Sequence, residues 1–116
     1  MHIQERAVGS VTILDLKGKL IHGDGDELLR DKIHSLLHQG RKSVVINLGG
    51  VEYIDSAGLG EMVSSLTTMR RDGGSIKLLN LTKRVQDLLA ITRLLTVFEA
   101  FNSEKDVVSS FSSMSV

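Results

Sequence analysis

Alternation between two hydrophobic periods constrains this chain more than any other feature. Val11-Thr12-Ile13-Leu14-Asp15-Leu16 is a run of β-branched and apolar residues, the composition of a strand. A weaker strand is expected over residues 3–7, joined to it by a Gly9-Ser10 turn. From Glu27 the period changes: Leu28, Leu29, Ile33, Leu36 and Leu37 line one face of an amphipathic helix. Gly40 is the expected stop. Val44-Val45-Ile46-Asn47-Leu48 then reads as a strand buried on both faces. A helix is predicted over 56–72 with Leu59, Met62, Val63, Leu66 and Met69 inward, closed by Gly73-Gly74. A strand over 76–79, a helix over 83–91 capped by Thr82, and a short strand over 97–101 follow. Ser103 caps a last helix carrying Val107, Val108 and Phe111. Two strands followed by alternating helix and strand predict an α/β fold. Its sheet is mixed and mostly parallel, with an N-terminal edge hairpin and about four helices packed on it.

Residues 1–116 read as a single domain. Its ordered core is expected over 4–108, and a Ser-rich tail over 109–116 is expected to fray. Lys plus Arg equals Asp plus Glu at 14 each, so no net field favours nucleic acid or anionic lipid. Three Phe, one Tyr and no Trp are too few for a base-stacking platform. The absence of cysteine removes disulfides and thiolate metal sites. The N-terminal residues lack the apolar core of a signal peptide, and no run approaches the roughly 18 apolar residues that span a bilayer. The expected location is the cytoplasm, without membrane insertion.

In open sheets of this kind, functional residues lie beyond the carboxyl ends of strands. Two segments fit: the loop expected over 18–26, and the stretch after Leu48. The second contains Asp55-Ser56-Ala57-Gly58-Leu59-Gly60. Asp55 and Ser56 are both N-cap types, whose oxygens accept from unpaired first-turn amides. Two glycines then enter the same first turn, each costing about 0.8–1.0 kcal/mol of helix propensity against alanine. Such local conflicts often mark functional sites. Two readings stand: Gly58 and Gly60 let a partner's backbone approach closely, or they pack against a neighbouring strand.

The block Val51 to Gly60 resembles the signature of STAS domains, the fold of bacterial anti-sigma factor antagonists. The resemblance continues through Gly73-Gly74, Leu78-Leu79-Asn80, the segment 85–89 and Ile91-Thr92-Arg93-Leu94-Leu95-Thr96-Val97-Phe98, covering about residues 4–108. It implies a partner switch. An anti-sigma factor that is itself a serine kinase phosphorylates the serine after the aspartate, here Ser56. The unphosphorylated form binds that kinase and frees a sigma factor, and a serine phosphatase resets the switch. Relatives often carry Ser or Thr where Ala57 stands, so Ser56 is the only hydroxyl of the motif. After Gly18-Lys19-Leu20 many relatives place Asp; here Ile21-His22-Gly23-Asp24-Gly25-Asp26 follows, leaving that role to Asp24 or Asp26. The implied binding surface comprises Asp55, Ser56, Ala57, Gly58, Leu59, Gly60, Met62, Val63 and Asp24. No cofactor is implied, since ATP and Mg²⁺ belong to the kinase. The same resemblance admits a second role, as an accessory subunit of a transport system or stress-sensing complex without phosphorylation.

Catalysis fits the sequence poorly. A nucleophilic Ser56 needs His22 or His34 as base, and the Gly-x-Ser-x-Gly elbow is missing. His22, Asp24 and Asp26 suggest a cation loop, but Ser35 stands where the twelfth-position Glu belongs. The expected role of these acids is to cap the first helix. A phosphate cradle at Gly23-x-Gly25 lacks the following Lys-Ser/Thr.

Overall fold

The computed structural model describes residues 1–112. The elements are β1 (His2–Val8), β2 (Val11–Leu20), α1 (Gly25–His38), β3 (Ser43–Ile54), α2 (Ser56–Arg71), β4 (Ser75–Leu79), α3 (Lys83–Ile91), β5 (Ala100–Phe101) and α4 (Glu104–Ser112). One sheet holds all five strands in the order β1-β2-β3-β4-β5. β1 and β2 form an antiparallel hairpin that closes at Val8 and Val11. Every later pair is parallel.

Sequential strand order explains the layering. Right-handed crossovers that always advance in one direction put their helices on one face of the sheet. Leu29 and Ile33 of α1, Met62 and Leu66 of α2, and Val85 and Leu89 of α3 accordingly meet Leu14, Ile46 and Leu78 in one core. α4 is not a crossover, and it covers the other face: Val107 and Phe111 pack on Val11, Ile13, Val45 and Leu79. The run 44–48 is thus buried from both sides, as its composition requires. α1 ends as expected, with Gly40 at φ 76° and the Arg41 amide returning to the Leu36 carbonyl at 2.9 Å.

Two side chains hold α4 down. Lys77, on β4, is buried with its Nζ 2.8 Å from Glu99 and 2.9 Å from Ser110, beneath the Phe111 ring. Arg6 of β1 donates to Asp15 of β2 at 2.6 Å and to Glu104 of α4 at 2.9 Å.

The strands differ from the pattern in length. β2 runs on through Lys17-Gly18-Lys19 to Leu20, so the loop expected over 18–26 shrinks to 21–24. β3 continues past Leu48, through Gly49-Gly50, to Ile54. Its register against β2 slips twice: Asp15 faces Asn47 but Lys17 faces Gly50, and Gly18 faces Val51 but Lys19 faces Tyr53. β3 carries one extra residue at each slip. Such bulges rotate the strand, which is how Val51 and Ile54 both reach the core. In a regular strand residues three apart point to opposite faces. β5 is only two residues, because Phe98 turns into the core before strand pairing begins. The expected tail over 109–116 is not frayed at its start: residues 109–112 belong to α4, and 113–116 lie outside the described residues.

Candidate functional site

β2 and β3 end side by side, and the turn 21–24 and the start of α2 leave them together. Asp55 joins the two. Its Oδ1 accepts from the Gly58 amide at 2.9 Å, capping α2, and its Oδ2 accepts from the His22 amide at 3.1 Å. Its own amide donates to the Leu20 carbonyl at 3.3 Å. The Gly58 amide, then the His22 amide, hold the Asp55 carboxyl below the usual carboxylate range. Both oxygens of Asp55 are therefore occupied in positioning the backbone.

Ser56 follows as the first residue of α2, and it is exposed. Gly60 and Ser64 are exposed at the next helical positions along the same strip, with Val63 half-buried beside them. Ala57 is half-buried as well.

The two glycines of this turn have different reasons. A Cβ at Gly58 would overlap the Leu20 carbonyl oxygen, so the close approach made there is by the chain's own β2. The expectation that Gly58 admits a partner is corrected accordingly. At Gly60 nothing lies within 4 Å of where a Cβ would stand, and that glycine faces out. Leu59 and Met62 are buried in the core. Their expected place on a binding surface is corrected too, because the inward face of α2 claims both.

In the turn 21–24, Asp24 is exposed and lies 3.6 Å from the Met1 amino group. It occupies the N-cap position of α1 without a side-chain capping bond. Asp26 is nearly buried, accepting from the Glu27 amide at 2.7 Å, with the exposed His22 ring 3.7 Å away. Both acids thus stand at the positive end of α1 as expected, Asp24 at the N-cap position and Asp26 on a first-turn amide, although Asp24 itself makes no capping bond. A Cβ on Gly25 would stand 2.6 Å from the Lys19 carbonyl, which fixes α1 against the end of β2. The His22 ring lies 3.7 Å from Asp26, and His34 is exposed along α1. Among the described residues no three His, Asp or Glu side chains are grouped to hold a metal ion. No helix among them is long and apolar enough to cross a membrane.

A groove of about 450 Å³ opens next to this site, between the end of β3 and α3. Tyr53 and Ile54 form one wall, and Lys83, Arg84, Asp87, Leu88 and Ile91 form the other. Residue patterns did not pick it out, because its walls are some thirty positions apart in sequence and meet only through the parallel pairing of β3 and β4. The available signal was the apolar Ile91 at the exposed end of an otherwise amphipathic helix.

A family model described as STAS domain matches residues 2–107. The anti-sigma-B factor antagonist of Bacillus subtilis is 39% identical over 72 residues, covering 62% of this chain and 65% of that protein, just under two thirds of its length. The Thermotoga maritima protein TM1081 superposes with a TM-score of 0.86 at 23% identity, covering 93% of this chain and 92% of that one. The anti-sigma factor antagonist SpoIIAA superposes in its unphosphorylated form with a TM-score of 0.73 at 18% identity, covering 99% and 100%. Its phosphorylated form, from Bacillus, gives 0.74 at 20% identity, covering 95% and 99%. At such identities the structural likeness carries the fold alone.

Proposed function

The chain belongs to the STAS domain family, and on that premise we propose that it is an anti-sigma factor antagonist, a protein-binding switch controlled by phosphorylation of Ser56. The observation that carries this reading is the situation of Ser56, exposed at the first position of α2 and next to a carboxylate that fixes the surrounding backbone. A relative of the same fold is described in both unphosphorylated and phosphorylated forms. The partner is an anti-sigma factor with serine kinase activity, and the setting is the cytoplasm. Contacts fall to Ser56, Ala57, Gly60, Val63 and Asp24, with Asp55 positioning them.

The chemistry belongs to the kinase. The γ-phosphoryl group of its ATP passes to Ser56 Oγ, ADP leaves, and the hydroxyl proton goes to a base of the kinase. Asp55 is a weak base for that task, because the amides of Gly58 and His22 hold its carboxyl below the usual carboxylate range. A serine phosphatase reverses the modification: water attacks phosphorus, the ester bond breaks, and orthophosphate departs from the regenerated hydroxyl.

The phosphoserine carries about −1.5 to −2 charges. The free protein tolerates it, since a helix N-terminus holds roughly +0.5 charge and favours an anion by about 0.3–1 kcal/mol. In a docked interface the same group must be desolvated, which costs several kcal/mol when it is unpaired. A hundredfold loss of affinity needs only about 2.7 kcal/mol. Phosphorylation thus releases the partner and leaves the switch folded.

The test is a capture from the native cell, comparing wild type with Ser56→Asp and identifying bound proteins by mass spectrometry. A serine-kinase anti-sigma factor held by wild type and lost from the variant is the expected result. A partner retained equally by both would make Ser56 only the first residue of a helix, and the switch reading would fail.

A further inference from the structure

Tyr53 and Ile91 are unusual on this surface. They are 47% and 79% exposed, among the four large apolar side chains that remain exposed in the described residues, and both line the groove beside α3. Exposed apolar surface gathered in one groove marks an interaction site rather than ordinary scatter. The charges there are also unbalanced. Lys83 is paired with Asp87 at 2.9 Å, whereas the Arg84 guanidinium lies over the Tyr53 ring, its carbon 5.2 Å from the centroid, without a carboxylate partner among the described residues. An arginine held over an aromatic ring keeps its donors free for a carboxylate. Only Asp55 separates this wall from Ser56, since Tyr53 and Ile54 are the last residues of β3. The groove wall therefore stands within three residues of Ser56 along the chain. A second copy of this chain is a poor occupant, because symmetric pairing would bring Arg84 towards its own mate.

We infer that this groove takes a segment of the anti-sigma factor that inserts an apolar side chain between Tyr53 and Ile91 and sets a carboxylate on Arg84. The inference rests on the proposed function, and it adds a second contact region whose purpose is partner selection. Tyr and Arg in such a pocket are the residue types that dominate binding energy at interfaces. The groove also gives the unphosphorylated complex an anchor independent of the serine. Charge on Ser56 weakens one contact region and leaves the groove unchanged.

The experiment carries Ile91→Asp and Arg84→Glu beside wild type through the capture described above, then measures affinity with the recovered kinase after purification. Lys105→Glu, exposed on α4, serves as the control. Both groove side chains face solvent, so the melting temperatures of the variants should match wild type. The expected result is at least a tenfold loss of affinity in each groove variant and none in the control. Equal binding by all four proteins would overturn the groove while leaving the switch standing. Failure of wild type to capture any anti-sigma factor kinase would overturn the proposed function, and with it the occupant assigned here. Loss of self-association in Ile91→Asp, with kinase affinity unchanged, would reassign the groove to a second copy.

Discussion

Gly58 lies so close beneath the carbonyl oxygen of Leu20 that residue 58 has no room for a Cβ. The same carbonyl accepts from the Asp55 amide at 3.3 Å. One backbone oxygen at the end of β2 therefore sets both the distance and the direction at which α2 departs. The position of Ser56, one residue after Asp55, follows from this contact.

Gly58→Ala and Gly60→Ala should shift stability in opposite directions. A methyl group at 58 meets backbone that has no freedom to yield. Overpacking of this kind costs about 1–3 kcal/mol, more than the helix propensity that alanine restores. At 60 the methyl group meets open space, so the propensity gain of about 0.8–1.0 kcal/mol should appear almost whole. Urea unfolding of the two variants checks this. Equal shifts would mean that the contact with Leu20 does not govern the turn.

The same pair shows what sequence reading reaches. Two glycines in a first turn announce a conflict, but only the end of β2 reveals which one the fold demands. The crossover order, the α1 stop at Gly40 and the caps at Asp55 and Thr82 were legible because each depends on neighbours a few residues away. The ends of β2 and β3 were not. Lys17-Gly18-Lys19 and Gly49-Gly50 are poor strand formers, kept in the sheet by pairing of Lys17 with Gly50, Gly18 with Val51 and Lys19 with Tyr53. The register slips hide the alternation further, bringing Val51 and Ile54 to one face. At the site, Asp55 and Ser56 could be read as caps, but the bond from the His22 amide joins loops that are thirty-three positions apart.

Asp55→Ala should remove an acid-sensitive part of the stability. The Asp55 carboxyl is depressed in the folded protein, chiefly by the Gly58 amide and next by that of His22. A depressed carboxyl stabilises above its unfolded pKa, about 3.9, and that contribution disappears as pH falls through the folded value. The gap in urea midpoint between wild type and Asp55→Ala should therefore be constant near neutrality and should close below about pH 4. A gap that does not change with pH would show that the charge on Asp55 adds nothing to its bonds with Gly58 and His22.

Arg6→Met should loosen α4. Burial pushes the Asp15 carboxyl up, but hydrogen bonds from Arg6 and Asn47 outweigh it and leave it below its ordinary value. Arg6 also draws the Glu104 carboxyl down. Charged hydrogen bonds reduced by solvent screening suggest a loss of about 1–2 kcal/mol. Both carboxyls are depressed, so the loss should be full near neutrality and shrink as pH falls through their folded values. Hydrogen exchange of the α4 amides reports the loosening directly. Unchanged protection there would mean that Lys77 and the apolar contacts of Val107 and Phe111 hold the helix unaided.

Ser56→Asp and Ser56→Lys should separate the effect of charge on the fold from its effect on binding. Ser56 is exposed at the positive end of α2, and the first turn of that helix carries no acidic side chain. A negative charge there gains about 0.3–1 kcal/mol from the aligned peptide dipoles, and a positive charge loses a similar amount. For a domain of this size the melting temperature should rise slightly in the first variant and fall slightly in the second, each by less than about 5 °C. Calorimetry with and without added salt tests the cause, since screening should shrink both shifts. Partner release by Ser56→Asp without a fall in melting temperature is the signature of a switch that acts at its surface. Unfolding of that variant would instead show that the charge disrupts the Asp55 cap, and release would then be a consequence of lost structure.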